Sequence, residues 1–339
     1  MPQIDDSKKT LVLVTGATGA IGARVVEALC KAGCRIRTLS IDSPVKGAFP
    51  AGVEVITGDI TDVSVVEAAV SGVNAVVHMA ALLHITNPSP EMCGEYERVN
   101  VGGTANVVDA SVKAGVKRIV LFSTIAVYGQ SDVKVLDEQS QTRPETDYAR
   151  TKLAAERLVL SAKGADSGQL GTVLRLGAVY GSRIKGNYEK LTRALARNRF
   201  IPVGKGLNRR TLIYDKDVGL AAVLAVSHSA AAGRVFNVTD GEFHHLNAII
   251  GAICGALGRK PPRFSLPVSP IRLSAGFIEM VCAALRLKPP VSRAMIDKYT
   301  EDIAVSGGLI KQELGFSPKY GLKAGWEETI QEMRGNGVI

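Results

Sequence analysis

Apolar runs alternate with amphipathic stretches along the first half of the chain. Residues 10–16, TLVLVTG, form a short apolar run that is typical of a buried strand. Residues 20–33, AIGARVVEALCKAG, then repeat apolar positions at three- and four-residue spacing and end in a glycine, as amphipathic helices do. The first two predicted elements are therefore a strand and a helix.

The same alternation continues to about residue 176. Repeated strand–helix pairs imply right-handed crossovers between neighbouring parallel strands. We therefore expect an α/β fold built on a doubly wound parallel sheet. The further strand-like runs span 35–41, 52–59, 74–81, 117–124 and 171–181, and the helix-like segments span 63–72 and 100–115.

After residue 176 the alternation becomes less regular. The run 234–241, RVFNVTDG, predicts one more strand of the sheet, whereas residues 259–270 contain four prolines and are expected to form a loop. We expect a first domain over 1–176, joined by a returning strand and helix around 212–240. Residues 177–339 would then form mainly a second, smaller lobe.

The segment VTGATGAIG lies where the first predicted strand meets the first predicted helix. Glycines there permit a tight turn, the close approach of a pyrophosphate and close helix packing, while the helix N-terminus attracts the anion. Thr18 stands where the common G-x-G-x-x-G pattern has its second glycine. In this strand–turn–helix context the segment predicts a dinucleotide-binding Rossmann domain. The expected contact residues are Gly16, Thr18, Gly19, Ala20, Ile21 and Gly22.

The end of the second predicted strand should distinguish NAD from NADP. An acidic residue there holds the 2′-hydroxyl of the NAD ribose, whereas an arginine accommodates the 2′-phosphate of NADP. Ser40 occupies the expected position, Asp42 follows two residues later and Arg37 precedes it. Because Asp42 can reach the ribose, we expect NAD as the cofactor, with NADP left open.

The stretch DYARTK places Tyr148 four residues before Lys152. On a helix this spacing puts both side chains on one face, where Lys152 would lower the pKa of the phenol and Tyr148 would transfer a proton. With eight tyrosines in the chain, the spacing alone also fits an ordinary surface pair. Context favours chemistry, because the preceding predicted strand ends at Thr124, at the sheet edge where ligands of such folds bind.

The net charge of +9 widens the set of partners to consider. It suits nucleic acid, an acidic membrane surface or a phosphorylated substrate. Because the basic residues are scattered, with few aromatic residues between them, nucleic acid is not expected. The longest apolar stretch, around 273–287, is interrupted by Glu279 and Arg286 and is too short to span a membrane, so it predicts an interfacial or core helix.

The five cysteines form no CxxC pair and no cluster with histidine. This pattern indicates neither a structural zinc site nor a disulfide framework, and it is typical of a reducing compartment. The adjacent His244 and His245 are poorly placed to share a metal, and His78 is expected to be structural. We therefore expect a cytoplasmic protein without a metal site.

Several ordered motifs resemble the extended short-chain dehydrogenase/reductase family, of the NAD-dependent epimerase/dehydratase type. They are TGATGAIG, GDITD, HMAA, VNVGGTAN, FSTIAVYG, YARTK, LRLGAVYG and RRTLIYDKDV, and they extend over almost the whole chain. The resemblance implies hydride transfer between a substrate carbon and nicotinamide, with Thr124, Tyr148 and Lys152 as catalytic residues. It also implies a homodimer, through helices around 104–114 and 149–162.

The resemblance assigns further residues around the cofactor. Asp59 and Ile60 would contact the adenine, and Ala80 would line the cofactor where the fourth strand ends. Asn100 would support the site from a neighbouring helix, although a purely structural amide is an equally good interpretation. Beyond the glycine loop and Asp42, the implied cofactor contacts are Asp59, Ile60, Ala80, Tyr148 and Lys152.

The segments that bear on the substrate conflict. NRRTLIYDKDV resembles a stretch of nucleotide-sugar epimerases and reductases in which one arginine, matched here by Arg210, binds the diphosphate. A solvated charged loop is the alternative for Arg209 and Arg210. Ala178 stands where many nucleotide-sugar enzymes have an asparagine, and residues 287–299 resemble hydroxysteroid-dehydrogenase-like relatives.

The expected function is an NAD(P)-dependent oxidoreductase or epimerase of nucleotide sugars, most simply a UDP-sugar 4-epimerase. A nucleotide-sugar ketoreductase and a 3β-hydroxysteroid-like dehydrogenase are the enzymatic alternatives. A dinucleotide-binding protein without catalysis is the alternative from another class. A 4,6-dehydratase is not expected, because such relatives have an Asp–Glu pair after the position of Thr124, where this chain has Ile125 and Ala126.

Overall fold

The computed structural model describes residues 10–83, 92–131, 133–285 and 287–339. The chain divides into two compact units. The first unit comprises Met1–Val179, Ile213–Gly241 and Val305–Lys319, and the second comprises Tyr180–Leu212, Glu242–Ala304 and Tyr320–Ile339.

The strands of the described residues lie mostly in the first unit. In chain order they are β1 Leu11–Thr15, β2 Arg35–Ser40, β3 Glu54–Thr57, β4 Ala75–His78, β5 Arg118–Thr124, β6 Gly171–Leu176, β7 Ala178–Tyr180, β8 Arg209–Arg210, β9 Leu212–Tyr214, β10 Arg234–Val238 and β11 His244–His245. Within the described part of the chain, seven of them form one sheet in the order β10-β6-β5-β4-β1-β2-β3. Every pairing in this sheet is parallel, as expected from the strand–helix alternation.

Helices connect these strands and fill the second unit. They are α1 Gly22–Lys31, α2 Val63–Val70, α3 Met92–Tyr96, α4 Gly103–Lys113, α5 Asp147–Ser161, α6 Asn187–Ala196, α7 Asp215–Ser227, α8 Leu246–Leu257, α9 Val268–Ala284, α10 Arg293–Thr300, α11 Gly308–Leu314 and α12 Leu322–Gly335. A π-helical turn, Glu97–Gly102, leads from α3 into α4, and a short 3-10 helix, Ile125–Tyr128, follows β5.

Both faces of the sheet are covered, which explains why β1 is apolar throughout. All five of its residues are buried. Because side chains alternate along a strand, Val12 and Val14 join the core that includes α1, α7 and α11, whereas Leu11 and Leu13 join the core that includes α2, α4 and α5. The first unit is therefore a three-layer α/β fold with a doubly wound parallel sheet, and the predicted fold class is confirmed.

Several predicted boundaries differ from the structure. The strand predicted over 171–181 is interrupted at Gly177, whose N–H bonds to the Val238 carbonyl at the end of the neighbouring strand. The helix predicted over 100–115 starts only at Gly103, after the π-helical turn. The loop predicted over 259–270 ends at α9, because Pro270 lies in the first turn, where a missing N–H costs little.

Residues 305–319, which lie within the stretch predicted to form mainly the second lobe, belong to the first unit. Ile310 and Leu314 of α11, together with Phe316, are buried in the core that also contains Phe236 and Val238 of β10. The reason is packing: α11 covers the edge strand of the sheet, which would otherwise expose its apolar side chains.

The second unit is built mainly of helices. Helix α8 packs against α12 and α6, and α10 packs against α9. Trp326 of α12 stacks on Tyr180 with ring centroids 4.7 Å apart, and Tyr188 meets the same indole edge-on at 5.9 Å. Gly325 gives Tyr180 its room, because a Cβ there would collide with the phenol oxygen. Antiparallel pairing of β8 with β11 completes the regular structure of this unit.

Two further observations concern the described residues as a whole. No helix among them combines the length and the apolar character that a membrane crossing requires. In the same part of the chain, no three His, Cys, Asp or Glu side chains are grouped so that they could hold a metal ion.

Candidate active site

The glycine loop between β1 and α1 is held tightly against the end of β4. Gly16 has φ of +71°, and a Cβ at this position would lie 2.7 Å from the Cα of Ala80. A Cβ at Gly22 would collide with the carbonyl oxygen of Ala17. The loop's shape therefore requires glycine at both positions, irrespective of any ligand.

Gly19 differs from its two neighbours in the motif. A Cβ there would approach only one atom closely, the Gly16 carbonyl oxygen at 3.1 Å, and residues 18 and 19 are exposed. Packing therefore gives little reason for a glycine at this position. The N-terminus of α1 behind the loop has no acidic residue in its first turn and no side-chain cap. An open loop and uncapped helix N–H groups fit the pyrophosphate of a dinucleotide.

The residues expected near the adenosine ribose lie at the end of β2. Ser40 is buried, and its Oγ accepts a hydrogen bond from the Thr18 N–H at 3.2 Å, while Asp42 is exposed two residues later. Arg37, which had indicated NADP, is engaged elsewhere. Its Nε donates to Glu54 at 2.8 Å, and its Nη1 donates to backbone carbonyls at the end of α2. Arg37 therefore gives no support for a 2′-phosphate site.

His78 ends β4 and organises the turn that follows. Its Nδ1 lies 2.7 Å from the Thr15 hydroxyl, and its Nε2 lies 3.0 Å from the Thr104 hydroxyl. Thr104 donates its own proton to the Asn100 carbonyl at 2.6 Å, so it must accept from His78 Nε2–H. Burial, followed by the charge of Lys152, lowers the pKa of His78 to about 3, so the imidazole stays neutral.

The Thr15 hydroxyl extends this arrangement to the backbone that follows β4. It donates to His78 and accepts from the N–H groups of Met79 and Ala80, both at 3.2 Å. His78 thus fixes the backbone of Ala80, the residue predicted to line the cofactor. Its side chain is structural, as expected from the sequence.

Asn100 lies in the π-helical turn, with its side chain fully hydrogen-bonded. The amide oxygen accepts from the Leu82 N–H at 2.7 Å. The amide nitrogen donates to the Leu82 carbonyl and to the Thr151 hydroxyl, each at 3.1 Å. Asn100 therefore ties the segment after β4 to α5, between Tyr148 and Lys152. These contacts are those of a residue that positions the site.

Asp59 and Ile60, predicted at the adenine, follow β3. Asp59 accepts a hydrogen bond from the Thr61 N–H at 2.9 Å and remains partly exposed. Ile60 is buried against Gly103, and its carbonyl accepts from the Asn106 side chain at 3.0 Å. The structure therefore holds the backbone at this edge of the sheet in place.

The three predicted catalytic residues lie on packed elements of the first unit. Thr124 ends β5, is partly exposed, and accepts a hydrogen bond from the Ala126 N–H at 3.2 Å. Tyr148 lies in the first turn of α5, which Thr146 caps through the Ala149 N–H at 3.2 Å. Lys152 lies one turn later and is buried. Helix α5 packs against both β5 and the 3-10 helix that Thr124 caps.

The pKa of the Tyr148 phenol is raised in this structure, whereas the sequence had suggested that Lys152 would lower it. The side chain keeps some solvent exposure, yet burial raises its pKa to about 12, with a smaller contribution from Tyr96, whose ring centroid is 6.4 Å away. Burial also lowers the pKa of Lys152 to about 8, although Glu156 opposes this shift. At neutral pH the site therefore holds a neutral phenol beside a buried ammonium.

A buried network that sequence reasoning missed lies beneath Lys152. Glu156, one turn along α5, accepts a hydrogen bond from Ser123 at 2.5 Å and pairs with Arg175 of β6 through three contacts of 2.6 to 3.2 Å. Glu156 is 1% exposed and Arg175 is 6% exposed, so neither charge is solvated. Each charge therefore depends on the other.

Arg175 links this pair to the returning strand β10. Its Nη1 donates to the Tyr128 hydroxyl at 3.1 Å, and its guanidinium lies 5.0 Å from the centre of the Tyr128 ring. Tyr128 in turn donates to Asn237 of β10 at 2.8 Å. Two sequence signals pointed to the network: Glu156 continues the spacing of Tyr148 and Lys152, and an arginine interrupts the apolar run of β6.

Arg210, predicted to bind the substrate diphosphate, lies in the second unit. Its Nη2 donates to the carbonyls of Lys298 and Tyr299, at 2.7 and 2.8 Å, near the end of α10. The adjacent Arg209 pairs with Asp302 at 2.5 Å. Arg210 is therefore anchored to α10, and its contact with a substrate stays a prediction.

Comparison with known proteins identifies relatives of the whole chain. The model of the family described as NAD dependent epimerase/dehydratase family matches residues 12–239. The UDP-glucose 4-epimerase of Vibrio cholerae is 29% identical over 331 residues, covering 94% of each protein. The 3 beta-hydroxysteroid dehydrogenase/Delta 5-->4-isomerase of Mycobacterium tuberculosis is 30% identical over 330 residues, covering 91% of this chain and 86% of the relative.

A solved structure adds a match in three dimensions. The structure of MoeE5 in complex with UDP-glucose and NAD has a TM-score of 0.75 and 26% identity, covering 96% of this chain and 99% of that chain. The family match extends over more than half of the sequence, so the chain belongs to the NAD dependent epimerase/dehydratase family, among the extended short-chain dehydrogenases/reductases. The predictions of this family, of an enzyme and of NAD as the cofactor are thereby confirmed.

Proposed function

We propose that the chain is a nucleotide-sugar 4-epimerase, with a UDP-sugar as its substrate. The observation that carries this proposal is the arrangement of Thr124, Tyr148 and Lys152 on β5 and α5, in a unit whose glycine loop fits a dinucleotide. Two relatives support the substrate class: the UDP-glucose 4-epimerase of Vibrio cholerae, and MoeE5, whose structure contains UDP-glucose and NAD.

The proposed chemistry assigns one role to each of these side chains. As the phenolate, Tyr148 would accept the proton of the C4 hydroxyl as hydride leaves C4, and it would return that proton when hydride comes back to the other face of the keto sugar. Thr124 donates a hydrogen bond to the same oxygen. The Lys152 ammonium stabilises the Tyr148 phenolate while the proton is on the sugar side. Bound NAD supplies the hydride acceptor and a positive nicotinamide, which favours the phenolate further.

Burial of the site makes the positive charges necessary. A phenol with a pKa of about 12 is almost fully protonated at neutral pH, so the reaction depends on the ammonium and the nicotinamide to stabilise the phenolate that acts as the base. The Glu156–Arg175 pair holds a carboxylate one helical turn from Lys152, which favours the charged form of the lysine. Glu156 is thus proposed as a positioning residue, with no contact to the substrate.

Arg210 is the proposed ligand of the substrate diphosphate. Arginine suits this role because its planar fork binds phosphate oxygens in pairs. The same proposal includes a homodimer through α4 and α5 and a cytoplasmic location. It also includes cofactor contacts by residues of the glycine loop and of the ends of β2 and β3: Thr18, Gly19, Ala20, Ile21, Asp42, Asp59 and Ile60. The first unit would bind NAD and the second unit would bind the substrate.

A 3β-hydroxysteroid-like dehydrogenase is the second candidate function. The relative from Mycobacterium tuberculosis supports it, since its identity to this chain is 30%, against 29% for the UDP-glucose 4-epimerase. Ala178, where an asparagine would be expected for nucleotide sugars, and the stretch 287–299 favour it as well. The catalytic residues would be the same, with net oxidation of an alcohol in place of epimerisation.

The test begins with the cofactor and continues with substrates. Purified protein is denatured and any released nucleotide is identified by mass spectrometry, and intact protein is then assayed against UDP-, GDP- and dTDP-sugars and against a 3β-hydroxysteroid with NAD. Released NAD together with interconversion of C4 epimers, without net reduction of NAD, is the expected result. Net NADH formation with the steroid alone would replace the proposal by the second candidate.

A further inference from the structure

Helix α9 of the second unit exposes large apolar side chains. Of its seventeen residues, all of which the structure describes, only Ala275 is buried. Leu273, Phe277 and Met280 are 77%, 63% and 61% exposed. A helix as apolar as this one is normally enclosed by protein or lipid, and a solvent-facing apolar patch of this kind marks an interaction site.

The exposed apolar residues share one side of the helix. At about 100° per residue, they fall within an arc of roughly 140°. Leu285, directly after the last helical turn, continues the same side and is exposed as well. We call this set the α9 apolar surface; it consists of Leu273, Phe277, Met280, Val281 and Leu285.

The segment that contains this surface is positively charged. Between α8 and α10, residues 258–292 contain six Lys or Arg (positions 259, 260, 263, 272, 286 and 288) and one Glu (279), a net charge of +5. Two of these seven residues are paired with residues of α10: Arg272 pairs with Asp297, and Glu279 pairs with Arg293. The charges of Arg272 and Glu279 are therefore compensated locally.

Four basic residues at the two ends of α9 have no such compensation. Arg259, Lys260 and Arg263 precede the helix and Lys288 follows it, and all four are exposed. In the part of the chain that the structure describes, none of them takes part in an ion pair. The segments that flank α9 in the sequence therefore carry exposed positive charge.

Exposed apolar side chains together with flanking positive charge favour one kind of partner for the α9 apolar surface over another. A second copy of the chain would bring the same net charge of +5 against it, which opposes self-association through this side. An anionic bilayer supplies both requirements, since its headgroups bind Lys and Arg while its interface accepts apolar side chains. We propose that the α9 apolar surface docks on an anionic membrane surface, with the four flanking basic residues contacting lipid headgroups.

The geometry fits a helix that lies along the bilayer. Seventeen residues give a length of about 26 Å, whereas a helix needs about 20 apolar residues to cross the hydrocarbon core. The opposite side of α9 is also occupied, because α10 packs against it. The docking is therefore peripheral and reversible.

This inference is independent of the proposed function. The α9 apolar surface contains none of Thr124, Tyr148 and Lys152, which lie in the first unit. A binding assay with vesicles requires no turnover, so it can succeed or fail whatever the substrate.

The test is flotation of the full chain with vesicles on a density gradient. Vesicles of phosphatidylcholine with 30% phosphatidylglycerol are compared with vesicles of phosphatidylcholine alone, at low and at physiological salt. Two variants address the two parts of the surface: Phe277→Ser/Met280→Ser for the apolar part, and Arg259→Glu/Lys260→Glu/Arg263→Glu for the charged part. The matched control is Val45→Ser/Leu207→Ser, which removes two exposed apolar side chains elsewhere.

We expect the wild-type protein to bind the phosphatidylglycerol vesicles, and to bind them more weakly as the salt concentration rises. The affinity of each surface variant for these vesicles should be at least roughly tenfold lower, whereas the control variant should bind like the wild type. Circular dichroism of each variant confirms that it is folded. Equal binding to both vesicle types, or no binding, would overturn the proposal. A dimer in sedimentation velocity that Phe277→Ser/Met280→Ser converts to monomer, with no vesicle binding, would assign the surface to a second copy.

Discussion

An ion pair of the first unit and a helix of the second unit place charge and apolar surface in opposite ways. In the first unit, Glu156 and Arg175 form a nearly dry ion pair in the protein interior, one helical turn from Lys152. In the second unit, ion pairs such as Arg272–Asp297 lie at the surface, and the apolar side chains of α9 face outward. Buried charge suits a site that must hold its groups in fixed positions, whereas an exposed apolar helix suits contact with a partner.

The contrast in ion pairs gives the largest expected effect. Replacing Arg175→Met removes the cation that is hydrogen-bonded to the buried Glu156 carboxylate, so the free energy of unfolding should fall by about 3–5 kcal/mol. The matched change Arg272→Met removes an exposed pair and should leave stability nearly unchanged. Chemical denaturation followed by circular dichroism measures both.

A double variant sharpens the same comparison. Glu156→Met/Arg175→Met removes both partners of the ion pair together and should recover much of the lost stability, because neither partner is left buried without the other. Activity should not recover with it, since the carboxylate near Lys152 is gone. If Arg175→Met and Arg272→Met had equal effects on stability, the distinction between the two units would be wrong.

Replacing Lys152 tests whether the buried ammonium lowers the free energy of unfolding of the protein. Its pKa is lowered from 10.5 to about 8, so below pH 8 the folded protein holds a buried ammonium that the unfolded chain would solvate. The resulting penalty is fully present below pH 8 and disappears between pH 8 and 10.5. Lys152→Met should therefore raise the free energy of unfolding at pH 7 by about 1–3 kcal/mol while turnover is lost.

The exposed Lys288 of the second unit is the matched control for this experiment. Lys288→Met should leave the free energy of unfolding at pH 7 nearly unchanged. A Lys152→Met protein that is less stable than wild type at pH 7 would show that the ammonium contributes net favourable contacts, contrary to our account.

His78 predicts how stability responds to acid. The imidazole has a pKa of 6.5 when unfolded and about 3 in the folded protein, so the unfolded state binds more protons between these values. The folded state is therefore fully favoured above pH 6.5 and loses stability as pH falls toward 3, by up to about 1.4 kcal/mol per pH unit. His78→Gln should reduce this slope, which denaturation midpoints at several pH values would reveal; an unchanged slope would exclude His78 as its source.

A substitution in the glycine loop should have the smallest effect on stability but should weaken the binding of NAD. Gly19→Ala meets only the Gly16 carbonyl oxygen, so the fold should tolerate it while NAD affinity falls roughly tenfold. Gly251→Ala in α8, where a Cβ would meet nothing within 4 Å, should stabilise the protein and leave NAD affinity unchanged. Calorimetric titration with NAD distinguishes them, and equal affinities would remove Gly19 from the cofactor site.

Much of the first unit could be predicted because its signals are local. The apolar run of β1, the helical spacing of α1 and the glycines between them each reflect contacts formed within a few residues. The π-helical turn Glu97–Gly102 had no such signal, because it departs from the regular helical period only to place Asn100 against Leu82 and Thr151.

The remaining features depend on contacts between distant parts of the chain. Glu156 and Arg175 are nineteen residues apart and meet only when β6 packs beside α5. The sequence suggested that Lys152 would lower the pKa of Tyr148, but burial, which a spacing pattern does not report, raises it. The helix at α9 was expected to be interfacial or in the core, and only the structure shows which side chains it exposes.

The most direct test of the account is the variant Tyr148→Phe, which removes one oxygen and leaves the ring in place. NAD binding, measured by calorimetry, should be nearly unchanged, and turnover of the sugar or steroid substrate identified by the panel should fall by roughly 100-fold or more. This result would establish the phenol as the group that exchanges the substrate proton. Tyr148→Phe protein that turns over substrate at the wild-type rate would contradict the proposed mechanism.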